Sequence, residues 1–192
     1  ATIKAKLDAG RALLYETSRY VDIYKSYDDI ARSRKLTPEE RKEQKKYTRL
    51  ADCFTPLAKG MNSEYANQNS YDCIQVHGGS GFMLEYACQR LYRDARITSI
   101  YEGTTQLQTV AAIRYVTNGT YMNVIREYEE IEVPEAYKSI KARIHAMADA
   151  CEAAVNKVKE AGNQDYHDLV ARNLYEMTAD VVMSLLLLRD TV

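Results

Sequence analysis

Proline and glycine are scarce in this chain, 3 and 8 of 192 residues. Helices need long stretches free of both. Four of the glycines fall between Gly78 and Gly103, so uninterrupted helix is expected on either side of that window. Histidine is scarcer than charge would require: there are 3, none in an HExxH or similar arrangement, and no metal is expected. The four cysteines, Cys53, Cys73, Cys88 and Cys151, form no CxxC pair. Free buried thiols in a reducing, cytoplasmic compartment are expected. No apolar run approaches the roughly 20 residues that span a bilayer, and no signal-peptide pattern opens the chain. Neither sign of charge dominates, with Lys+Arg at 26 and Asp+Glu at 27. A net charge of −1 gives no general attraction to nucleic acid. Basic residues do cluster (Arg32, Arg34, Lys35; Arg41, Lys42, Lys45, Lys46), but acids interleave the second group, as on a solvated helix face.

What is present is helical periodicity. Ile3, Leu7, Leu14, Val21 and Tyr24 combine spacings of three and four, which predicts a first helix from Ile3 to about Asp29 with that set as its apolar face. Thr37-Pro38-Glu39-Glu40 is a helix start, with threonine as N-cap, proline at the first position and acids in the first turn. The second helix runs to about Val76, with a local kink expected at Pro56. A helix over Leu84–Ala95 follows, then an extended segment from Ile97 to Gly103, then a helix from Thr105 to about Thr117 opened by a Thr105/Gln108 capping box. Asn118-Gly119 is a stop. Beyond it, Ile140, Ile144, Met147, Cys151, Val155 and Val158 form one stripe. Val170, Leu174, Met177, Val181, Leu185 and Leu188 form another across the Gly162-Asn163 break, predicting an antiparallel hairpin. The fold class is therefore all-α: an up-and-down four-helix-type bundle over 1–118 and a helical-hairpin extension over 119–192. The chain begins without methionine inside a helical pattern, and its last stripe runs almost to Val192, as expected of a piece of a longer protein.

Chemistry concentrates in two segments. Glu102 precedes Gly103 at a loop-to-helix junction beside Ile100, Tyr101 and Leu107. A carboxylate facing apolar neighbours resists ionisation, which suits a general base; a solvated loop acid is the plainer alternative. Gln75-Val76-His77-Gly78-Gly79-Ser80-Gly81 ends a helix in glycines that permit close approach to a phosphate, or that serve only as a C-cap and tight turn. Capping accounts for Thr105 and leaves Thr104 and Gln106 free for a ligand. Arg90, Arg93, Asp94 and Arg96 are expected to form an ion-pair network that fixes the loop.

These segments together, Gln75-Val76-His77-Gly78-Gly79-x-Gly81-Phe82, Glu85-Tyr86, Arg90-Leu91-Tyr92-Arg93-Asp94-Ala95-Arg96-Ile97 and Ile100-Tyr101-Glu102-Gly103-Thr104-x-Gln106-x-Gln108, closely resemble the C-terminal helical domain of acyl-CoA dehydrogenases. The resemblance covers about residues 1–117, and the remainder resembles the extra helical region of longer members. Ala87-Cys88 and Ser80 depart from the residues usual there. The resemblance implies an FAD enzyme of fatty acid β-oxidation that converts acyl-CoA to trans-2-enoyl-CoA. Glu102 would remove the α-proton while a hydride leaves to the flavin, and its amide would polarise the thioester carbonyl. Tyr101 and Gly103 would lie against substrate. Gln75, Val76, His77, Gly78 and Gly79 would contact the adenosine diphosphate part of FAD, in this family commonly on a neighbouring subunit; Thr104 and Gln106 would also contact FAD. A homo-oligomer (dimer or tetramer) and electron-transfer flavoprotein are the implied partners. The 192-residue piece alone is expected to be inactive. Two other classes compete: a non-enzymatic helical oligomerisation module, which has no use for the Glu102-Gly103 pair, and a flavin-binding relative with changed, nucleic-acid-associated chemistry, which the near-neutral charge disfavours.

Overall fold

The computed structural model describes residues 1–192 as eight α-helices, one 3-10 turn and no strand. They are α1 (Thr2–Ser33), α2 (Pro38–His77), α3 (Gly79–Phe82), α4 (Ala87–Thr98), α5 (Thr105–Thr117), α6 (Thr120–Glu129), α7 (Lys138–Ala161) and α8 (Gln164–Thr191), with the 3-10 turn at Glu135–Tyr137. The all-α class read from the sequence is therefore the fold. No helix is long and apolar enough to cross a membrane.

Local chemistry sets several boundaries. Thr37 and Glu40 form a reciprocal capping box at the start of α2. Gly119 (φ 82°) and Gly162 (φ 58°) adopt the left-handed conformation that ends one helix and starts the next. Asn163 caps α8 by accepting from the Tyr166 amide. Helix α6 has no counterpart in the sequence reading. Its ten residues carry too short a stripe, Tyr121, Val124 and Ile125, to stand out from the loop around it.

The segment expected to be extended is helical. Helix α4 continues through Ile97 and Thr98, and the Ile100 and Tyr101 amides both donate to Ile97 O in a closing turn. Asn67 of α2 donates to Ala95 O, so a side chain from outside the helix stabilises its last turn. That tertiary bond overrides a weak β-branched propensity.

Helices α1, α2, α5 and α8 pack as a closed ring of neighbours, α1 on α2, α2 on α5, α5 on α8 and α8 on α1. Helix α4 lies outside the ring against α2, and α7 packs on α8. One cluster of buried apolar side chains runs from Ala9 to Leu188 without a break at residue 118. The face that α1 turns inward matches the predicted one only in part: Val21 and Tyr24 pack against the core. Leu7 and Leu14 are about half exposed, while Ala9, Gly10, Leu13, Glu16, Thr17 and Tyr20 are buried. Near Gly10 small residues are needed because α2 approaches closely: a Cβ on Gly10 would stand 2.1 Å from Asn62 Oδ1.

Pro56 lies buried inside α2. Proline removes one intrahelical donor and crowds the preceding turn, and around it three carbonyls take bonds from tyrosines of other helices. Tyr121 of α6 donates to Cys53 O, and Tyr175 of α8 donates to Pro56 O (3.0 Å) and Leu57 O (3.2 Å). Gly60 makes room, since its Cβ would stand 2.2 Å from the Tyr175 hydroxyl. Gly60→Ala should therefore destabilise the fold by about 1–2 kcal/mol, overpacking and a lost buried hydrogen bond outweighing alanine's helix preference of about 1 kcal/mol. Chemical denaturation measures it. In a Tyr175→Phe background the penalty should shrink, and strict additivity of the two changes would remove this explanation.

Candidate active site and its relatives

Ser99 to Gly103 form the turn between α4 and α5, and Glu102 is the one non-glycine residue of the chain with positive φ (52°). Gly103 follows at φ 95°. A left-handed glutamate costs of order 1 kcal/mol and persists only when its surroundings hold it. Here they do. Lys59 of α2 donates its ammonium to Gly103 O at 2.5 Å, and Gln108 of α5 donates to Gly103 O (3.2 Å) and Glu102 O (3.4 Å). The Lys59 ammonium also stands 5.8 Å from the Tyr101 ring centroid. The carbonyls of the turn are thus tied down, while the N–H groups of Glu102, Gly103 and Thr104 have no acceptor within the chain. One residue therefore carries both a free carboxylate and a free amide. Its apolar neighbours Ile100, Tyr101 and Leu107 are present but exposed, as is Glu102 itself, so this chain alone does not close the apolar pocket expected around the carboxylate.

Capping at α5 is shifted by one residue. Thr104, not Thr105, is the N-cap, accepting from the Leu107 amide at 3.3 Å. Thr105 is buried and donates to Glu64 Oε1 at 2.5 Å. Glu64 in turn pairs with Arg172 of α8 at 3.7 Å. The buried side-chain partner decided the register, because Thr105 can satisfy its hydroxyl inward while Thr104 faces solvent. Gln108, expected to complete a capping box, reaches back to the Glu102–Gly103 turn instead.

A recess of about 430 Å³ opens beside the turn, between α1 and α2, with Leu14, Ala58, Lys59, Thr98 and Tyr101 among its walls. Leu14, which faces away from the core, therefore lines a cavity. On the other side of the turn, Thr104 and Gln106 line a polar recess of about 380 Å³ together with Glu64, Asn67 and Arg96. The expected ion-pair network does not form. Arg90, Arg93 and Asp94 are exposed without charge partners, and Arg96 donates to Ser99 Oγ at 2.6 Å. Backbone-directed bonds from Lys59, Asn67 and Gln108 hold the loop in its place.

At the other segment, Gln75, Val76 and His77 are the exposed last turn of α2, and Gly78 (φ 60°) turns the chain into α3. Gly79 is exposed, with open space where a Cβ would stand, so its backbone is approachable. Gly81 has the opposite role: a Cβ there would meet Ile74 O at 2.7 Å and His77 Cβ at 2.9 Å. Its bareness lets α3 fold back onto α2. The His77 ring donates its Nδ1 proton to Cys73 O at 2.9 Å, and the Gln75 amide and the backbone of this stretch stay exposed.

Sequence reasoning passed over Lys59, Gln108 as a loop anchor, and Glu64. The one signal was Lys59 itself, a lone cation in the apolar run Pro56-Leu57-Ala58-Lys59-Gly60-Met61. Lys59→Met should leave α2 intact and loosen the turn, raising the backbone hydrogen-exchange rates of Tyr101 and Thr105, whose amides bond to Ile97 O and Ser99 O, relative to those in the body of α5. Unchanged exchange would show that Gln108 suffices.

Two family models match in tandem: "Acyl-CoA dehydrogenase, C-terminal domain" over residues 38–116 and "Acyl-CoA dehydrogenase C terminal" over residues 117–192. The chain belongs to the acyl-CoA dehydrogenase family. Among curated members it is 41% identical over 64 residues to an acyl-CoA dehydrogenase of Bacillus subtilis (strain 168), covering 33% of this chain and 17% of that protein. It is 35% identical over 106 residues to the 3-methylmercaptopropionyl-CoA dehydrogenase of Ruegeria pomeroyi, covering 55% of this chain and 16% of that protein. The chain thus spans about a sixth of the length of the curated relatives it matches. In three dimensions it resembles an acyl-CoA dehydrogenase complexed with FAD from Bacillus anthracis, with a TM-score of 0.62 and 24% identity, over 96% of this chain and 32% of that one. That likeness is one of fold.

Proposed function

We propose that this chain is the C-terminal part of an FAD-dependent enzyme that oxidises acyl-CoA to trans-2-enoyl-CoA, with Glu102 as the base. The observation that carries the reading is the turn at Glu102, where a carboxylate and an unpartnered backbone N–H belong to one residue whose carbonyl side is fixed. Abstraction of a proton α to a thioester needs a base at the carbon and a donor at the carbonyl oxygen that gains charge. A left-handed residue held by Lys59 and Gln108 presents both in one geometry, without reorganisation at the moment of reaction. The recess walled by Tyr101, Lys59 and Leu14 gives the acyl chain an adjacent space.

The donor set fits a flavin dinucleotide. Thr104 and Gln106 line a polar recess that also holds Arg96, and the backbone of Gln75–Gly79 is exposed around an open glycine. FAD, when bound, supplies the hydride acceptor. The residues of this chain would hold it: Thr104 and Gln106 from the polar recess, Gln75 to Gly79 along the exposed stretch. The partners that follow are an acyl-CoA, further copies of the chain in a dimer or tetramer, and electron-transfer flavoprotein as oxidant, in a reducing cytoplasm. Because Glu102 and its apolar neighbours are exposed, the 192-residue chain by itself is expected not to dehydrogenate acyl-CoA. Stoichiometric FAD and enoyl-CoA formation by this chain alone would overturn that expectation. The reading as a whole is tested by flavin bleaching in the full-length parent and its Glu102→Gln variant.

A further inference from the structure

Three soft donor atoms converge at the junction of α2 and α4, on the flank of the turn rather than in it. Cys73 and His77 are one helical turn apart on α2, and Cys88 is the second residue of α4. One ligand atom from each lies within 4.8 Å of the others. The two sulfurs stand 3.4 Å apart, and Cys73 Sγ is 3.9 Å from His77 Nδ1. All four cysteines are free.

We propose that Cys73, Cys88 and His77 bind a thiophilic divalent cation of the zinc class, with an open fourth position toward solvent. Tetrahedral zinc with bonds of about 2.3 Å to sulfur places two thiolates about 3.8 Å apart. The observed sulfurs need to part by only a few tenths of an ångström to reach that spacing. They must close by more than 1 Å to form a disulfide, whose S–S bond is about 2.05 Å. Two thiols and an imidazole are the donor set that selects zinc over magnesium or calcium. The i, i+4 placement of Cys73 and His77 puts both donors on one helix face. Cys88 is buried, Cys73 is half-buried and His77 is exposed, so the cluster is walled on one side and open on the other. Its third wall depends on Gly81, which allows α3 to fold back and set the start of α4 against α2. Binding replaces both thiol protons, so two protons leave per cation bound and affinity rises with pH. The imidazole gives up its bond to Cys73 O or ligates through Nε2 while keeping it. Either way the cation ties the end of α2 to the start of α4 and fixes the glycine turn between them. Nothing in this inference depends on flavin or acyl-CoA chemistry.

The test uses the reduced chain, titrated anaerobically with Co²⁺ as probe. One equivalent should produce a thiolate-to-cobalt charge-transfer band and tetrahedral d–d bands, both bleached by one equivalent of Zn²⁺. Cys73→Ser and Cys88→Ser should each lose the charge-transfer intensity of one thiolate and weaken binding by more than about 100-fold, beyond the 10–100-fold that loss of an outer-shell partner costs. His77→Gln should keep the charge transfer and shift the d–d bands. Helicity is measured for each variant, and Cys151→Ser, in the buried core away from the cluster, should bind as the parent does. A six-coordinate cobalt spectrum without thiolate bands overturns the proposal. So does a charge-transfer intensity that neither cysteine variant reduces, or a Cys73–Cys88 disulfide that persists under reducing conditions.

Discussion

In the full-length parent, Glu102→Gln should abolish flavin bleaching by acyl-CoA, lowering the rate by about 10²–10⁴-fold, the usual contribution of a general base. Glutamine has nearly the shape of glutamate, and the bonds that hold the turn run from Lys59 and Gln108 to backbone carbonyls. The substitution therefore removes the base and leaves the turn, with its unpartnered amides, in place. Acyl-CoA affinity should stay within a few-fold of the parent. That split, chemistry lost and binding kept, separates a catalytic carboxylate from one that merely shapes the loop. Equal bleaching by both proteins would take Glu102 out of the mechanism. Equal loss of binding and bleaching would mean that the carboxylate supports the turn after all.

Glu16→Ala should cost the fold about 2–3 kcal/mol. Glu16 is 2% exposed in α1. It accepts from Arg19 (2.5 Å), from the Tyr128 hydroxyl of α6 (2.7 Å) and from Arg189 of α8 (3.0 Å). One carboxylate thus joins α1 to both α6 and α8. Breaking a buried pair costs about 3–5 kcal/mol. Both guanidinium groups are more than a third exposed, so water recovers part of that cost. Burial by itself pushes the Glu16 carboxyl up. Hydrogen bonds from Arg19, Tyr128 and Tyr20 and the charge of Arg189 outweigh it and hold the pKa at about 2, against an ordinary 4.5. A carboxyl that titrates lower in the folded state stabilises fully above its unfolded value, and the contribution fades as pH falls from about 4.5 toward 2. The gap in denaturation midpoint between the parent and Glu16→Gln should therefore be widest near pH 7, narrow below pH 4.5 and close only near pH 2. A gap that ignores pH would sink the electrostatic account.

Helix α1 shows how far residue patterns go and where they stop. Leu7 and Leu14 follow a valid helical period, and the helix is there. Yet the face that packs is Ala9, Leu13, Glu16 and Tyr20, with Val21 and Tyr24 at its edge, because α2 comes close at Gly10 and Glu16 finds its partners on α6 and α8. The same holds at the site. Glu102, Gly103, Thr104 and Gln106 stand out in sequence because they are local in it. Lys59 and Glu64 do not, since they lie 44 and 41 positions from the atoms they bind. Helix α6 is invisible for a related reason: ten residues form a stable helix only when Tyr121 and Ile125 have a core to enter.

By itself the sequence determined the all-helical class, the N-cap at Thr37, the glycine stops at Gly119 and Gly162, and the two motifs that mark the family. Each rests on interactions within about four residues, where backbone preference and hydrophobic period are written directly into residue order. Tertiary structure alone decided that α8 closes the ring of helices, that Tyr121 and Tyr175 serve the carbonyls around Pro56, that Lys59 holds Glu102 in its left-handed turn, and that Cys73, His77 and Cys88 meet. Those outcomes depend on which helix faces come to lie against each other. Spacing along one helix carries no record of that.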